Sequence, residues 1–364
     1  MNSDNKHKVI TALELLVKTC EAAKSSISNH PKSTEDPPPL SILHKDLLSL
    51  LSLVYGSVTK LALALKPLAP THSACLVPLK ELSDRIAAIS HCINMFNASI
   101  HGATLFKEVN IVALDVVESM RTLASLYVEI EKFGERSRFG DEYLMRTGAV
   151  HSIIEMARSE DGLPNDNLTA VRRHWSKDTG GLEDGIRELG EMIEDARSEI
   201  DTSEDGWDEL GIEPSKPLAD RELEVAEKAL IVLRLCSLLH QKVISDILST
   251  PDSLSNTFLD GLAALSPALV SSSDELISTL DSPQDMDCVK TELLVLKGVI
   301  DDIQNHLSNL NNQTDSLADL LRESSLNEVS VSTNCNSREK WFNGCFDQIA
   351  KAIQSVPEAA NGHY

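Results

Sequence analysis

The residues able to do chemistry are few and scattered. His91 adjoins Cys92, and Cys75 lies upstream in the same apolar stretch. A thiol beside an imidazole is the least that a nucleophile pair or a half-built metal site requires. A closed metal site needs three or four converging ligands, and no CxxC pair, HExxH or Cys/His zinc spacing stands in the chain. The simplest reading of His91 and Cys92 is therefore a polar residue beside a buried thiol. GxGxxG, GxxxxGK[ST] and GxSxG are absent, so the sequence offers neither a phosphate cradle nor a strained nucleophile turn. No ExxH recurs on two helices, which removes the carboxylate-bridged two-metal centre. The expectation is no catalytic, cofactor-binding or metal-binding residue, no cofactor and no enzymatic activity.

Trp207 is the most singular side chain. It stands in DGWDELG, among carboxylates and between two glycines. An aromatic residue in an acidic, Gly-broken segment suits a docking anchor, because Trp is enriched where binding energy concentrates. Folding back over one end of the apolar core is the other use such a residue finds. The candidate partner-binding residues are Glu204, Asp205, Trp207, Asp208, Glu209 and Leu210. They end a run of high charge: Leu182 to Glu213 holds 13 acidic and 2 basic residues, a balance of −11. Like charges at that density favour a solvated helix leading into a loop.

These residues must be positioned by helices. The 364-residue chain is 42% hydrophobic but only 4% aromatic, and rich in Leu, Ala and Ser. Sheets favour β-branched and aromatic residues, so the composition leans helical. Apolar spacing of three and four predicts helices over 6–28, 41–66, 72–98, 103–133 and 141–158. A weaker helix is expected over 167–201, divided at Gly180 and Gly181. The next, 217–250, is apolar on more than half its circumference, as a central helix would be. Further helices are expected over 252–281 with a kink at Pro267, over 286–310, as a short piece at 315–322, and over 337–356. Prolines 37–39 and the stretch DGLPND at 161–166 read as connectors.

The fold class expected is all-α: two packed up-and-down helical bundles joined by an acidic linker, with vinculin and talin as fold-level analogies. The boundaries are 1–160 for an N-terminal bundle, 161–216 for an acidic connector with partial helix and 217–356 for a C-terminal bundle, with a tail at 357–364. A net charge of −23 repels phosphate backbones and anionic lipid, so no direct nucleic-acid contact is expected. Seven cysteines without close pairs suit reduced thiols. The N-terminal MNSDNKHKVI lacks an apolar signal core, and Lys60 interrupts the best candidate span, so no membrane insertion is expected.

The acidic run ending in GWDEL, the following LADRELEVAEKALIVLRLC and the later DEL…PQD turn resemble the cyclin-D-interacting protein family (GCIP family). TKLALALKP at 59–67 is similar to that family's second helix. The resemblance spans most of 40–310. It implies a helical, non-enzymatic adaptor of nucleus and cytoplasm. Such an adaptor binds cyclin-type or helix-loop-helix partners and modulates the cell cycle or transcription. The R-x-L triplets at Arg121–Leu123, Arg187–Leu189 and Arg221–Leu223 look like short cyclin-docking motifs, although their leucines fit core positions. The alternative is a cytoskeletal or scaffold bundle of vinculin or talin type.

Overall fold

A computed structural model describes residues 2–29, 37–134, 141–198, 218–249, 254–322 and 332–360. Among them there is no strand, and the fold is all-α. The chain divides into two compact units, Met1–Ala170 and Val171–Tyr364.

The first unit contains α1 (Asn2–Asn29), α2 (Leu40–Ala64), α3 (His72–Asn94), α4 (Ala98–His101), α5 (Ala103–Phe133) and α6 (Glu142–Arg158). α1 packs on α3 and α5, while α2 packs on α3 and α6. The apolar spacing seen in the sequence becomes the core. Leu79, Leu82, Ile86 and Ile89 of α3 are buried with Val109, Val116, Met120 and Leu123 of α5. α2 is long and apolar enough, by length and composition alone, to cross a membrane. Here its buried face, from Leu43 through Leu47, Leu51 and Val58 to Leu61, lies in the core of this unit.

The stretch from α3 to α5 breaks twice. α4 is a single turn, capped where the Asn97 side chain accepts from the Ser99 N–H at 2.9 Å. Gly102 then takes φ +97°, ψ 137°, a conformation that essentially only glycine adopts without strain. A Cβ at Gly102 would collide with the Asn167 side chain. Asn167 Oδ1 accepts from the Leu105 N–H at 2.9 Å, so it satisfies one open donor at the start of α5. The only buried carboxylate of this unit among the described residues is Glu131, whose Oε2 lies 2.9 Å from His72 Nε2 and 3.9 Å from Lys6 Nζ.

α7 (Asn167–Arg197) opens at the end of the first unit and supplies most of its length to the second. The second unit also holds α8 (Asp220–Asp246), α9 (Asn256–Ser278), α10 (Met286–Arg322) and α11 (Ser332–Ala360). α8 packs on α11 and α9, and α10 on α9 and α11. Of the two apolar faces of the 217–250 helix, Val225, Val232, Cys236, Leu239 and Val243 are buried on one; on the other Ala226, Leu230, Leu233 and Ile247 are buried, and Leu223 and Ile244 only partly.

Two sequence expectations change, in α7 and in α10. Gly180 and Gly181 do not divide α7, which is one continuous helix. Val270 Cγ1 of α9 would lie 3.2 Å from a Cβ at Gly181, and Ile277 Cδ1 2.8 Å from one at Gly185. Close approach of α9 thus offsets the roughly 1 kcal/mol by which each helical glycine is disfavoured. α9 is one helix with Pro267 inside it, as the sequence reading expects, and the ring removes one backbone bond. α10 runs unbroken through NNQTD to Arg322 because that stretch, though polar, contains neither glycine nor proline.

Candidate protein-docking groove

The second unit carries an open groove of about 630 Å³ between α7 and α8. α7 starts where the Asp166 side chain accepts from the Thr169 N–H at 2.7 Å. One stripe of α7, with Val171, Trp175, Leu182, Leu189 and Ile193, is buried. Glu183, Ile186, Gly190, Glu191 and Glu194 lie away from that stripe and line the groove. α8 supplies Arg234, Ser237 and Leu238. Leu238 is half exposed, and so is Ile231 two turns earlier on the same face. Gly190 leaves the floor open, since a Cβ there meets nothing within 4 Å.

The α7 wall is acidic. From Leu182 to Arg197 it holds six carboxylates and two arginines, a balance of −4. Arg187 is held by Asp184 at 3.0 Å and Glu191 at 3.2 Å, and Arg197 reaches Glu227 of α8 at 2.6 Å. Glu194 and Arg234 make no ion pair among the described residues. Exposed pairs of this kind contribute little and exchange readily for others. The groove therefore offers an apolar floor with one acidic rim and one unpaired guanidinium. An amphipathic helix with basic flanks has the matching chemistry.

The walls stand on a buried polar knot. Trp175 stacks on His240 with centroids 4.7 Å apart and donates from Nε1 to the Leu262 carbonyl at 3.1 Å. Ser266 Oγ donates to Asp178 Oδ2 at 2.7 Å. A carboxylate only accepts, so the serine proton is committed there, and Ser266 Oγ must accept from His240 Nε2 at 2.9 Å. This fixes the tautomer with the proton on Nε2 and leaves Nδ1 buried without a partner. Burial pushes the His240 pKa down to about 4, against the opposing pull of Asp178. The three residue types match a hydrolytic triad, but the order does not. Serine stands between histidine and aspartate, whereas a nucleophilic serine needs histidine between.

At the start of α8, Glu222 accepts from the Ala219 and Gln284 N–H groups, each at 2.9 Å. Burial works against its charged form, yet these hydrogen bonds hold its carboxyl below the ordinary range. This clasp ties the α8 wall to the connector after α9.

The six residues proposed around Trp207 lie outside the described residues. The acidic run in which they end is the same run that forms the α7 rim. The groove residues Ile186, Gly190, Arg234 and Leu238 were not singled out from the sequence. A signal existed: Ile231 and Leu238 belong to neither of the two apolar faces assigned to the 217–250 helix. The thiol pair resolves into separate buried groups. Cys75 Sγ donates to the His72 carbonyl, and burial raises both Cys75 and Cys92 to about 11. Among the described residues no three potential metal ligands cluster. Of the R-x-L leucines, Leu123 and Leu189 are core.

No curated protein matches the chain. Residues 46–195, from α2 through nearly all of α7, match the family described as Grap2 and cyclin-D-interacting, N-terminal. The match takes in the acidic wall of the groove and stops before α8. Over residues 46–195 the resemblance read from the sequence holds: this stretch is similar to the N-terminal domain of the Grap2 and cyclin-D-interacting family.

Proposed function

We infer that this chain is a non-enzymatic, protein-binding regulator that takes an amphipathic partner helix between α7 and α8. The observation that carries the reading is the open groove, apolar along Ile186, Gly190 and Leu238 and acidic along Glu183, Glu191 and Glu194. The family description supports a cyclin-D-type partner. Helix-loop-helix regulators are the second partner class. A partner of either class that presents an amphipathic helix would dock with apolar residues at i, i+3, i+4 and i+7. Regulation of the cell cycle or of transcription would follow from occupying that helix rather than from altering it chemically.

Gly190→Phe tests the reading, because the new ring enters the groove and leaves every charge in place. The full chain and the variant are titrated with a purified D-type cyclin by calorimetry, with circular dichroism confirming equal helicity. The expected result is micromolar or tighter binding by the parent chain and at least a tenfold loss in Gly190→Phe. Equal affinities would remove the groove from the reading. No binding by either would remove the cyclin.

A further inference from the structure

One end of the first unit has a surface unlike the rest of this acidic protein. Cross-helix bonds show which residues meet there. Ser57 of α2 donates to Glu81 of α3 at 2.9 Å and Cys92 Sγ of α3 to the Leu43 carbonyl of α2 at 3.8 Å, so these helices run antiparallel and the end of α2 meets the start of α3. Thr59 lies 3.2 Å from His151, and Tyr55 donates to Glu155 at 2.8 Å, which brings the start of α6 to that same end. His72 at the start of α3 meets Glu131 near the end of α5.

Residues far apart in sequence therefore share this end. Leu63, Leu68, Val77, Phe133, Leu144 and Met145 all belong to it, and all are exposed. Leu68 is 87% exposed in the connector between α2 and α3. Scattered exposed leucines are ordinary, but six large apolar side chains at one end of one unit form the kind of patch that marks an interaction surface.

The charge along the α2–α3 side of this end is reversed. Leu47 to Lys80 contains no Asp or Glu, in a chain with 56 of them. Lys60, Lys66 and Lys80 are exposed and make no ion pair among the described residues. Most carboxylates that border the end are already engaged: Asp4 by Lys8, Glu14 by Lys132 and Glu142 by Arg146. Glu131 is buried under His72 and Lys6. Glu81 is held by Arg85 and Ser57 and also feels Lys60; Glu129 and Asp141 remain, against Lys66 and Lys80.

We propose that this end of the first unit is a second docking surface, for an acidic protein segment that carries leucine or aromatic side chains. Complementary charge selects the partner, and the exposed leucines supply the contact area. An anionic bilayer shares part of that chemistry but is disfavoured. Three lysines are fewer than a polybasic membrane site uses, and the chain's net charge of −23 opposes approach to a negative surface.

The test uses the full chain and a labelled 18-residue peptide of Leu and Glu, with Leu at i, i+3, i+4 and i+7. A second peptide replaces each Leu by Ser, and vesicles of phosphatidylserine and phosphatidylcholine form the third arm. The expected result is binding of the Leu–Glu peptide that weakens with salt and falls at least tenfold in Leu68→Ser and in Lys66→Glu. Gly190→Phe should bind this peptide as the parent does, which separates the surface from the groove. Failure to bind, or equal binding of the Ser–Glu peptide, overturns the proposal. So does vesicle binding that Leu68→Ser abolishes while peptide binding persists unchanged.

Discussion

Acidification should destabilise the second unit through a single buried imidazole. His240 is buried beside Trp175, bonded through Nε2 to Ser266, with Nδ1 unpartnered. Its folded pKa of about 4 lies below the ordinary 6.5. Between those values the unfolded chain binds more protons than the folded one. Stability therefore rises with pH there and is lost as pH falls from 6.5 toward 4. A difference of two to three units at 1.36 kcal/mol each amounts to about 3 kcal/mol. That is a large part of the roughly 5–15 kcal/mol that holds a domain folded. His240→Phe keeps a ring against Trp175, leaves the Ser266–Asp178 bond in place and removes the titration. Urea unfolding of the parent and the variant, followed by tryptophan fluorescence at pH 7, 6, 5 and 4, isolates the effect because other carboxylates titrate equally in both. The stability difference, parent minus variant, should fall by about 3 kcal/mol between pH 7 and pH 4. A difference that stays constant, or moves the other way, would show that His240 is not held neutral by its burial.

Other substitutions read other parts of the fold. Gly102→Ala should cost at least about 2 kcal/mol in thermal unfolding, from its positive φ and the collision with Asn167. Asn167→Ala should cost about 1 kcal/mol by uncapping Leu105. Glu131→Ala, which strips His72 and Lys6 of their shared carboxylate, should cost about 3 kcal/mol, while Glu131→Gln costs less because a bond to His72 survives. Among the described cysteines only Cys288 is exposed, so a disulfide reagent should modify it in the folded chain. Its neighbour Asp285 holds that thiol above its ordinary pKa and should slow the reaction at neutral pH. Cys20 and Cys236, raised to about 12 by burial, should react only on unfolding. Rapid native modification of either would contradict their burial.

The helices were legible because their signal is local. Leu79, Leu82, Ile86 and Ile89 repeat at three and four, and so do Val109, Ala113, Val116, Met120 and Leu123, and burial follows that repeat. Glycine misled because its cost in a helix is local while its compensation is not. Nothing near Gly181 or Gly185 in sequence announces Val270 and Ile277. The acidic rim could be read as charge, and its role as a groove wall could not. That role depends on Leu238 of α8 lying opposite Ile186 and Gly190 of α7. The Trp175–His240–Ser266–Asp178 knot joins residues up to 91 positions apart through three helices, and no spacing rule finds it.

Two candidate surfaces of opposite charge on one chain act by exclusion as well as attraction. A basic amphipathic helix that fits the α7–α8 groove meets Lys60, Lys66 and Lys80 if it tries the other surface, and like charges there disfavour it. An acidic segment that suits the lysines meets Glu183, Glu191 and Glu194 at the groove. The apolar parts of the two surfaces are interchangeable, since leucine packs on either. Charge must then carry the discrimination, and it is screened within about 8 Å at physiological ionic strength. Both surfaces should therefore lose selectivity before they lose contact as salt rises. At high salt the Leu–Glu peptide should begin to compete at the groove, where Gly190→Phe would report its arrival as lost secondary binding. Selectivity that persists unchanged at 1 M salt would mean that shape, not charge, separates the partners.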